Sequence, residues 1–506
     1  MTRLRRVPLL ALAPVLALVA LLAWVFASPI GAGPDDDYHL VSAWCAGPTA
    51  HESCVPVEGA ERADHRIPRA LADISCFERD PLQSGACQHE LFEGALLERT
   101  VETDRGNFYG EYPPLYYAVM GLFTGDDVQL SALAMRVFTV VLFVGLMTAL
   151  YLLLPVQHRP ALIIGWAVTT LPLGVFLLAS NNPSAWAAIG VGTSWIALLG
   201  YFETRGGRRI ALGALYVLAM LLAAGSRGDA AVYAGFATVL VLVYAFRAER
   251  RFLLSALLPV AMGLVALAFL LGARQIGSGL GGFSDVGLED AGTGAGAAEK
   301  VSGVGLLAYN VMNVPFLWLG NLGEWGLGWL DTTMPTIVTF GAVGAFVVAG
   351  FLGIRRMHPR KAIVVGAAAA VLWILPVYVL QQAGHIVGQQ VQPRYLLPLI
   401  VLLGGLLALG APHVRWTRGQ LLLVAGFLSA GHVFALHANM RRYLTGIGSG
   451  GLNLNEAVEW WWQVPFTPMV VWFVGSLAYA ALMFLIAVRL PVNPADAGAS
   501  RVRRLI

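Results

Sequence analysis

Charge is scarce in this sequence. Asp, Glu, Lys and Arg make up 12% of its 506 residues, while hydrophobic residues fill 57%. Soluble globular chains carry roughly 25% charge and 45–50% apolar residues. The imbalance excludes an ordinary soluble enzyme, a disordered tail and a coiled coil. The net charge of +3 is small, and no basic surface of the kind that binds nucleic acid is present. No P-loop, HExxH or GxSxG motif occurs. Without a nucleotide-binding domain to drive a pump, any synthesis outside the membrane must draw its energy from a preactivated substrate. Cysteine is also rare, at four residues, and none falls in an apolar run.

Apolar runs of about 20 residues recur along the whole chain, the length a helix needs to cross a hydrocarbon core of about 30 Å. They predict an all-α polytopic membrane protein with twelve spans, forming a single integral-membrane domain over residues 1–506. The spans lie near 7–27, 128–154, 160–179, 184–202, 210–224, 229–246, 252–272, 335–354, 362–381, 395–410, 420–438 and 468–489. The fifth and tenth are short. The first resembles a signal peptide in its RLRR flank. Its apolar stretch of about 21 residues exceeds the roughly 7–15 of a signal core, which favours an uncleaved anchor.

Alternate short loops hold 20 of the 33 basic residues and only Glu203, Glu249 and Asp496 of the 30 acidic ones. By the positive-inside rule these loops are cytoplasmic, so both termini are expected there, in a bacterial plasma membrane. The longer segments, 28–127, 273–334 and 439–467, then face outward. All four cysteines, Cys45, Cys54, Cys76 and Cys87, fall in the first of them. An oxidising exterior favours two disulfides. Four cysteines allow three connectivities, and local pairing, Cys45–Cys54 and Cys76–Cys87, closes the shortest loops. Zinc is the competitor, since His39, His51 and His89 are near, but no CxxC or HxxxH spacing supports it.

Polar mass on one face suggests chemistry at the outer leaflet rather than alternating access. Three constellations stand out. GPDDDYH, residues 33–39, follows the first span; three successive carboxylates repel, so at least one should hold a proton or a cation. The plain reading is a solvated turn, and the functional one a general base at the membrane boundary with His39 beside it. EYPPLYYAVMGLF, residues 111–123, predicts a short helix with Tyr112, Tyr116 and Tyr117 at the interface. The third set is basic residues at outer span ends: Arg227 in SRGD, Arg274 after the seventh span and Arg394 in VQPRYLLP. Each either snorkels to headgroups or binds phosphate through its planar fork. NNPS, residues 181–184, offers amide hydrogen bonds from Asn182. The second outer segment begins Gly-rich over 277–300, where flexible coil is expected. The tryptophan-rich stretch 314–335 and Trp460–Trp462 are expected at the headgroup level.

Five pieces in order resemble the bacterial membrane-protein family called domain of unknown function 2142, within the GT-C superclass of integral-membrane glycosyltransferases. They are PDDDYH at 34–39, YPPLYY at 112–117, NPSAW at 182–186, GWLDTTMP at 328–335 and PRYLLP at 393–398. Asp36 stands where the family commonly has Glu. An Arg often found shortly after the histidine is replaced by Ser42 and Ala43, leaving one phosphate or sugar contact unassigned.

The resemblance implies a GT-C fold and glycosyl transfer from a polyprenyl-phosphate sugar to a glycan or lipid acceptor in the cell envelope. Asp35 is then the base, Asp36 orients the acceptor or holds a divalent cation, and His39 completes the motif. Arg394 and Arg227 stabilise the leaving phosphate. Tyr112, Tyr116, Tyr395, Asn182 and Asp331, from the other matching pieces, join the substrate-binding set. No metal ligands are assigned. A transporter or flippase of lipid-linked sugars and a non-catalytic envelope assembly protein are the alternatives; a transporter should carry ionisable residues at mid-membrane.

Overall fold

The computed structural model describes residues 9–59, 64–273, 303–355, 357–410 and 417–489. The stretch 277–300, Arg274 and several of the terminal and loop arginines lie outside the described residues. One-turn helices and the short helix Arg250–Ser255 aside, the chain order is α1 (Ala13–Phe26), α2 (Asp36–Cys45), α3 (Leu115–Met120), α4 (Val128–Leu153), α5 (Arg159–Ala167) and α6 (Leu173–Leu178). It continues through α7 (Pro183–Glu203), α8 (Gly206–Ala224), α9 (Gly228–Ala245), α10 (Leu257–Gly272), α11 (Gly303–Asn321) and α12 (Thr336–Ile354). It ends with α13 (Pro359–Ala383), α14 (Pro393–Leu407), α15 (Arg418–Thr445) and α16 (Pro468–Arg489). Eleven helices among the described residues are long and apolar enough to cross a membrane: α1, α4, α7–α13, α15 and α16, with α1 and α10 extended by a preceding turn.

Three differences from the expected twelve spans have physical causes. The run at 160–179 is split into α5 and α6 because Pro172 has no amide hydrogen to continue the ladder. Thr169 and Thr170 instead return their hydroxyls to the carbonyls of Gly165 and Trp166, at 2.6 and 2.8 Å. The run at 395–410 is the 15-residue α14, shorter than a full crossing. The outer segment 273–334 contains α11, whose end was expected in the headgroup plane. It packs alongside α13 instead: Trp373 donates to the Val311 carbonyl at 3.1 Å and Trp318 to that of Leu372 at 3.2 Å.

The core is built around α7, buried from Pro183 to Gly200. Small residues allow this: a Cβ on Gly190 would lie 2.5 Å from the Ala223 amide nitrogen on α8. The basic turns gather at one end of the bundle. Arg159 donates to the Leu154 carbonyl, Arg209 to Ser255 and Arg360 to the Tyr244 carbonyl. Lys361 places its ammonium on the carbonyls of Gly353, Leu407 and Leu409, at 2.8, 2.8 and 2.6 Å. Cations are favoured at such helix C-termini.

The segment 28–127 covers the opposite end. Its disulfides are Cys45–Cys54 and Cys76–Cys87, with Cα separations of 5.2 and 6.2 Å. The local pairing therefore holds, and zinc is overturned because every sulfur is bonded to another. A small antiparallel sheet, β1 (Val55–Pro56), β2 (His65–Pro68) and β3 (Thr100–Thr103), adds the one non-helical layer among the described residues. Trp460 and Trp462 are buried against the protein rather than turned to headgroups. Trp462 donates to the Phe26 carbonyl at the end of α1, at 2.9 Å.

Candidate functional site

The site is assembled on the turn between α1 and α2. Arg136, on α4, donates to the carbonyls of Val25, Ser28 and Pro29 at 3.2, 2.9 and 2.8 Å, collecting the C-terminal carbonyls of α1. Trp329 holds the Gly31 carbonyl at 2.9 Å. Asn182 holds that of Pro34 at 2.6 Å while its own oxygen caps α7 at the Ser184 amide. Asn182 is thus committed to the protein's own backbone.

Asp35 follows at the N-cap of α2, in the left-handed region at φ 59°. Asp tolerates that region better than most residues. Its carboxylate does not cap the helix. It reaches Arg394, the second residue of α14, at 2.6 Å, and Arg105 in the segment after β3, at 3.2 Å. Asp37 accepts from the same Arg105 through Nη2 at 3.0 Å and through Nε. Asp36 turns the other way, onto the Gly33 amide at 3.1 Å, with Arg136 at 3.9 Å. A Cβ at Gly33 would stand 2.4 Å from Asp36 Oδ1, so only glycine admits this fold-back. The three neighbouring carboxylates thereby avoid one another, two on arginines and one buried.

Their environments diverge accordingly. The side chains of Asp35, Asp37 and Arg105 are 19, 11 and 32% exposed, against 0% for Asp36. Burial pushes the Asp36 carboxyl up to about 6, against the pull of Arg136. Burial would raise Asp35 too, but Arg394, with His39 and Arg105, outweighs it and holds that carboxyl below its ordinary value. The solvated-turn reading of GPDDDYH fails, since α2 is buried from Asp36 to Trp44.

An aromatic wall flanks the acids. His39 shares a 2.9 Å hydrogen bond with the Tyr117 hydroxyl and meets the Tyr112 ring edge-on at 5.3 Å. Burial pushes its imidazole down to about 3, leaving it neutral at neutral pH. Arg394 donates to the Tyr395 hydroxyl at 3.0 Å. Arg227 lies over Tyr395 at 4.7 Å and Tyr112 at 5.6 Å, and forks onto Asp229 at 2.9 and 3.0 Å. The structure thus brings together Asp35, His39, Arg394, Arg227, Tyr112 and Tyr395.

Other expected members lie elsewhere. Tyr116, expected at the interface, is buried edge-on against Trp186 at 5.3 Å. Asp331 belongs to a second cluster, paired at 2.8 Å with the buried Arg442, which also holds the Phe77 and Asp80 carbonyls. Arg105, Asp37, Asp229 and Tyr117 are members that the sequence reading did not assign. Arg105 sits in TVETDRGN, where no periodicity marks it; the one available signal was the arginine missing after His39.

The cation that the resemblance allowed at Asp36 would meet a single carboxylate there, already on the Gly33 amide. Asp35 and Asp37 share a guanidinium where an ion would have to bridge them. Among the described residues no group of three His, Cys, Asp or Glu side chains is placed to hold a metal ion.

A family model described as "Predicted membrane protein (DUF2142)" matches residues 18–403. No curated protein and no solved structure matches the chain.

Proposed function

The chain belongs to the family of predicted membrane proteins DUF2142, and from that premise we propose that it is a GT-C-type glycosyltransferase of the extracytoplasmic face. The donor is a polyprenyl-phosphate sugar held in the bilayer, and the acceptor a glycan or lipid of the cell envelope. The observation that carries this reading is the 2.6 Å bridge between Asp35 and Arg394. It sets a carboxylate directly against a guanidinium of the kind that binds phosphate through its planar fork.

In this reading Arg394, with Arg227 behind Tyr395, receives the lipid phosphate. Engagement of Arg394 by phosphate loosens its bridge to Asp35 and makes that carboxylate more basic. Asp35 takes the proton of the acceptor hydroxyl. The hydroxyl oxygen attacks the anomeric carbon, the bond from carbon to phosphate oxygen breaks, and polyprenyl phosphate leaves with the electron pair. Attack from the face opposite the leaving group inverts the anomeric centre. Asp36, buried beneath, positions the turn. His39, neutral, offers a hydrogen bond rather than charge.

Purified protein incubated with a panel of polyprenyl-phosphate sugars should release polyprenyl phosphate from at least one. Movement of intact donor across vesicles without release would replace this reading with the flippase. The orientation has its own test: reporter fusions at residue 90 should read extracytoplasmic, and a cytoplasmic signal there would reverse the topology.

A further inference from the structure

The resemblance left room for a divalent cation at the acidic motif, and the donor set argues against one. Arg105 stands between two carboxylates two positions apart in the chain, Asp35 and Asp37. Its Nη2 donates to Asp35 Oδ1 at 3.2 Å and to Asp37 Oδ1 at 3.0 Å, and its Nε donates to Asp37 Oδ2. A cation joining two carboxylates normally does this with bonds of about 2.0–2.6 Å. Here the joining charge is covalently part of the chain.

Its position is built rather than incidental. The Arg105 amide donates to the Thr103 hydroxyl at 3.0 Å, at the end of β3. Two residues on, Asn107 fixes the segment from both sides. Its backbone N–H donates to the Ser42 hydroxyl on α2 at 2.9 Å, and its side chain bonds the backbone of Tyr112 at 2.8 and 3.0 Å. The guanidinium also lies 6.0 Å from the Tyr38 ring centre on α2. The start of α2 therefore carries Asp35 and Asp37, and the segment bound to α2 delivers the countercharge.

We propose that Arg105 is a resident bridging cation: it occupies the place of a divalent ion between Asp35 and Asp37, and makes the site independent of metal. Arg105 is a positioning residue, orienting Asp35 toward Arg394 and compensating Asp37. Removing the guanidinium leaves two facing carboxylates with room between them, which is the donor set of a hard divalent cation.

The test is thermal unfolding of the full chain in detergent, with chelator or with millimolar Mg²⁺, Mn²⁺ or Ca²⁺. The wild-type unfolding temperature should be the same with chelator and with each ion. Arg105→Ala should unfold several degrees lower and recover part of that loss with at least one ion. The double variant Arg105→Ala with Asp37→Asn should lose the recovery. Arg105→Lys, which keeps a charge, should remain insensitive to ions and covers the case in which the alanine variant does not fold. A wild-type shift on chelation, a metal response in Arg105→Lys, or a folded Arg105→Ala without any metal response would each overturn the proposal. The role of Asp35 in transfer rests on the function proposed above, but this readout needs no turnover. Failure to release polyprenyl phosphate from any donor would count against the transferase and leave the bridging cation standing.

Discussion

Asn182 reaches across 148 residues of chain to hold the Pro34 carbonyl at 2.6 Å. The same side chain caps α7. One buried amide therefore both starts the central helix and fixes the residue immediately before Asp35. Asn182→Ala should remove a cap worth about 1 kcal/mol and leave the Pro34 carbonyl unpaired at a cost of about 1–3 kcal/mol. We expect a lower unfolding temperature. If donor binding is measurable, it should weaken through the displaced turn before Asp35. An unchanged unfolding temperature would show that the hydrogen bond carries no weight.

Asp35→Asn keeps the shape of the side chain and loses the proton acceptor. Turnover should fall by about 10²–10⁴-fold, the usual contribution of a general base, while donor binding survives. Arg394→Ala should weaken donor binding strongly, and Arg394→Lys should restore only part, because the fork is lost. Full turnover in Asp35→Asn would remove the base from the proposed mechanism.

The pH dependence of stability should separate His39 from Asp36. His39 is pushed down to about 3 from an unfolded value near 6.5. It contributes stability that is complete above about 6.5 and is lost as pH falls from there toward 3. Asp36 is pushed up to about 6 from an unfolded value near 3.9. Its contribution is complete below about 3.9 and is lost as pH rises through 6. His39→Gln should therefore flatten the loss of stability on acidification below pH 6.5. Asp36→Asn should lift stability at pH 7 relative to pH 5. Unfolding temperatures across pH 4–8 read both slopes, and parallel curves for wild type and His39→Gln would refute the first.

Unreduced native protein should show no free thiol by alkylation and mass spectrometry, because all four cysteines are paired. Two alkylated sites would mean that one bridge does not form in the cell.

Much of this architecture was legible in the sequence because length and hydropathy dictate it. A run of 20 apolar residues has few alternatives to a buried or spanning helix, so most spans fall where they were expected. Arg394 could be singled out because an ionisable group beside an apolar run is costly and conspicuous. Arg105 could not. It lies in a polar stretch, and its importance arises only when α2 folds under it. Tyr116 and Trp460 were misplaced for a related reason. Aromatic residues near a span suit the membrane interface and a protein interior equally well, and only packing against Trp186 and Gly85 decides between them. The break at Pro172 was written in the chain, but an unbroken apolar composition concealed it.

The family resemblance stops at residue 403, but the clamp around the acidic turn does not. Asn439 holds the Ala27 carbonyl at 3.1 Å and the Ser28 hydroxyl at 2.8 Å. Arg442 secures the segment between the second pair of cysteines, and Trp462 the end of α1. The turn before Asp35 is therefore held in part by residues beyond the matched portion. An expression fragment trimmed to that limit would keep every residue that touches Asp35 and lose the keystones that hold the strand of backbone leading to it.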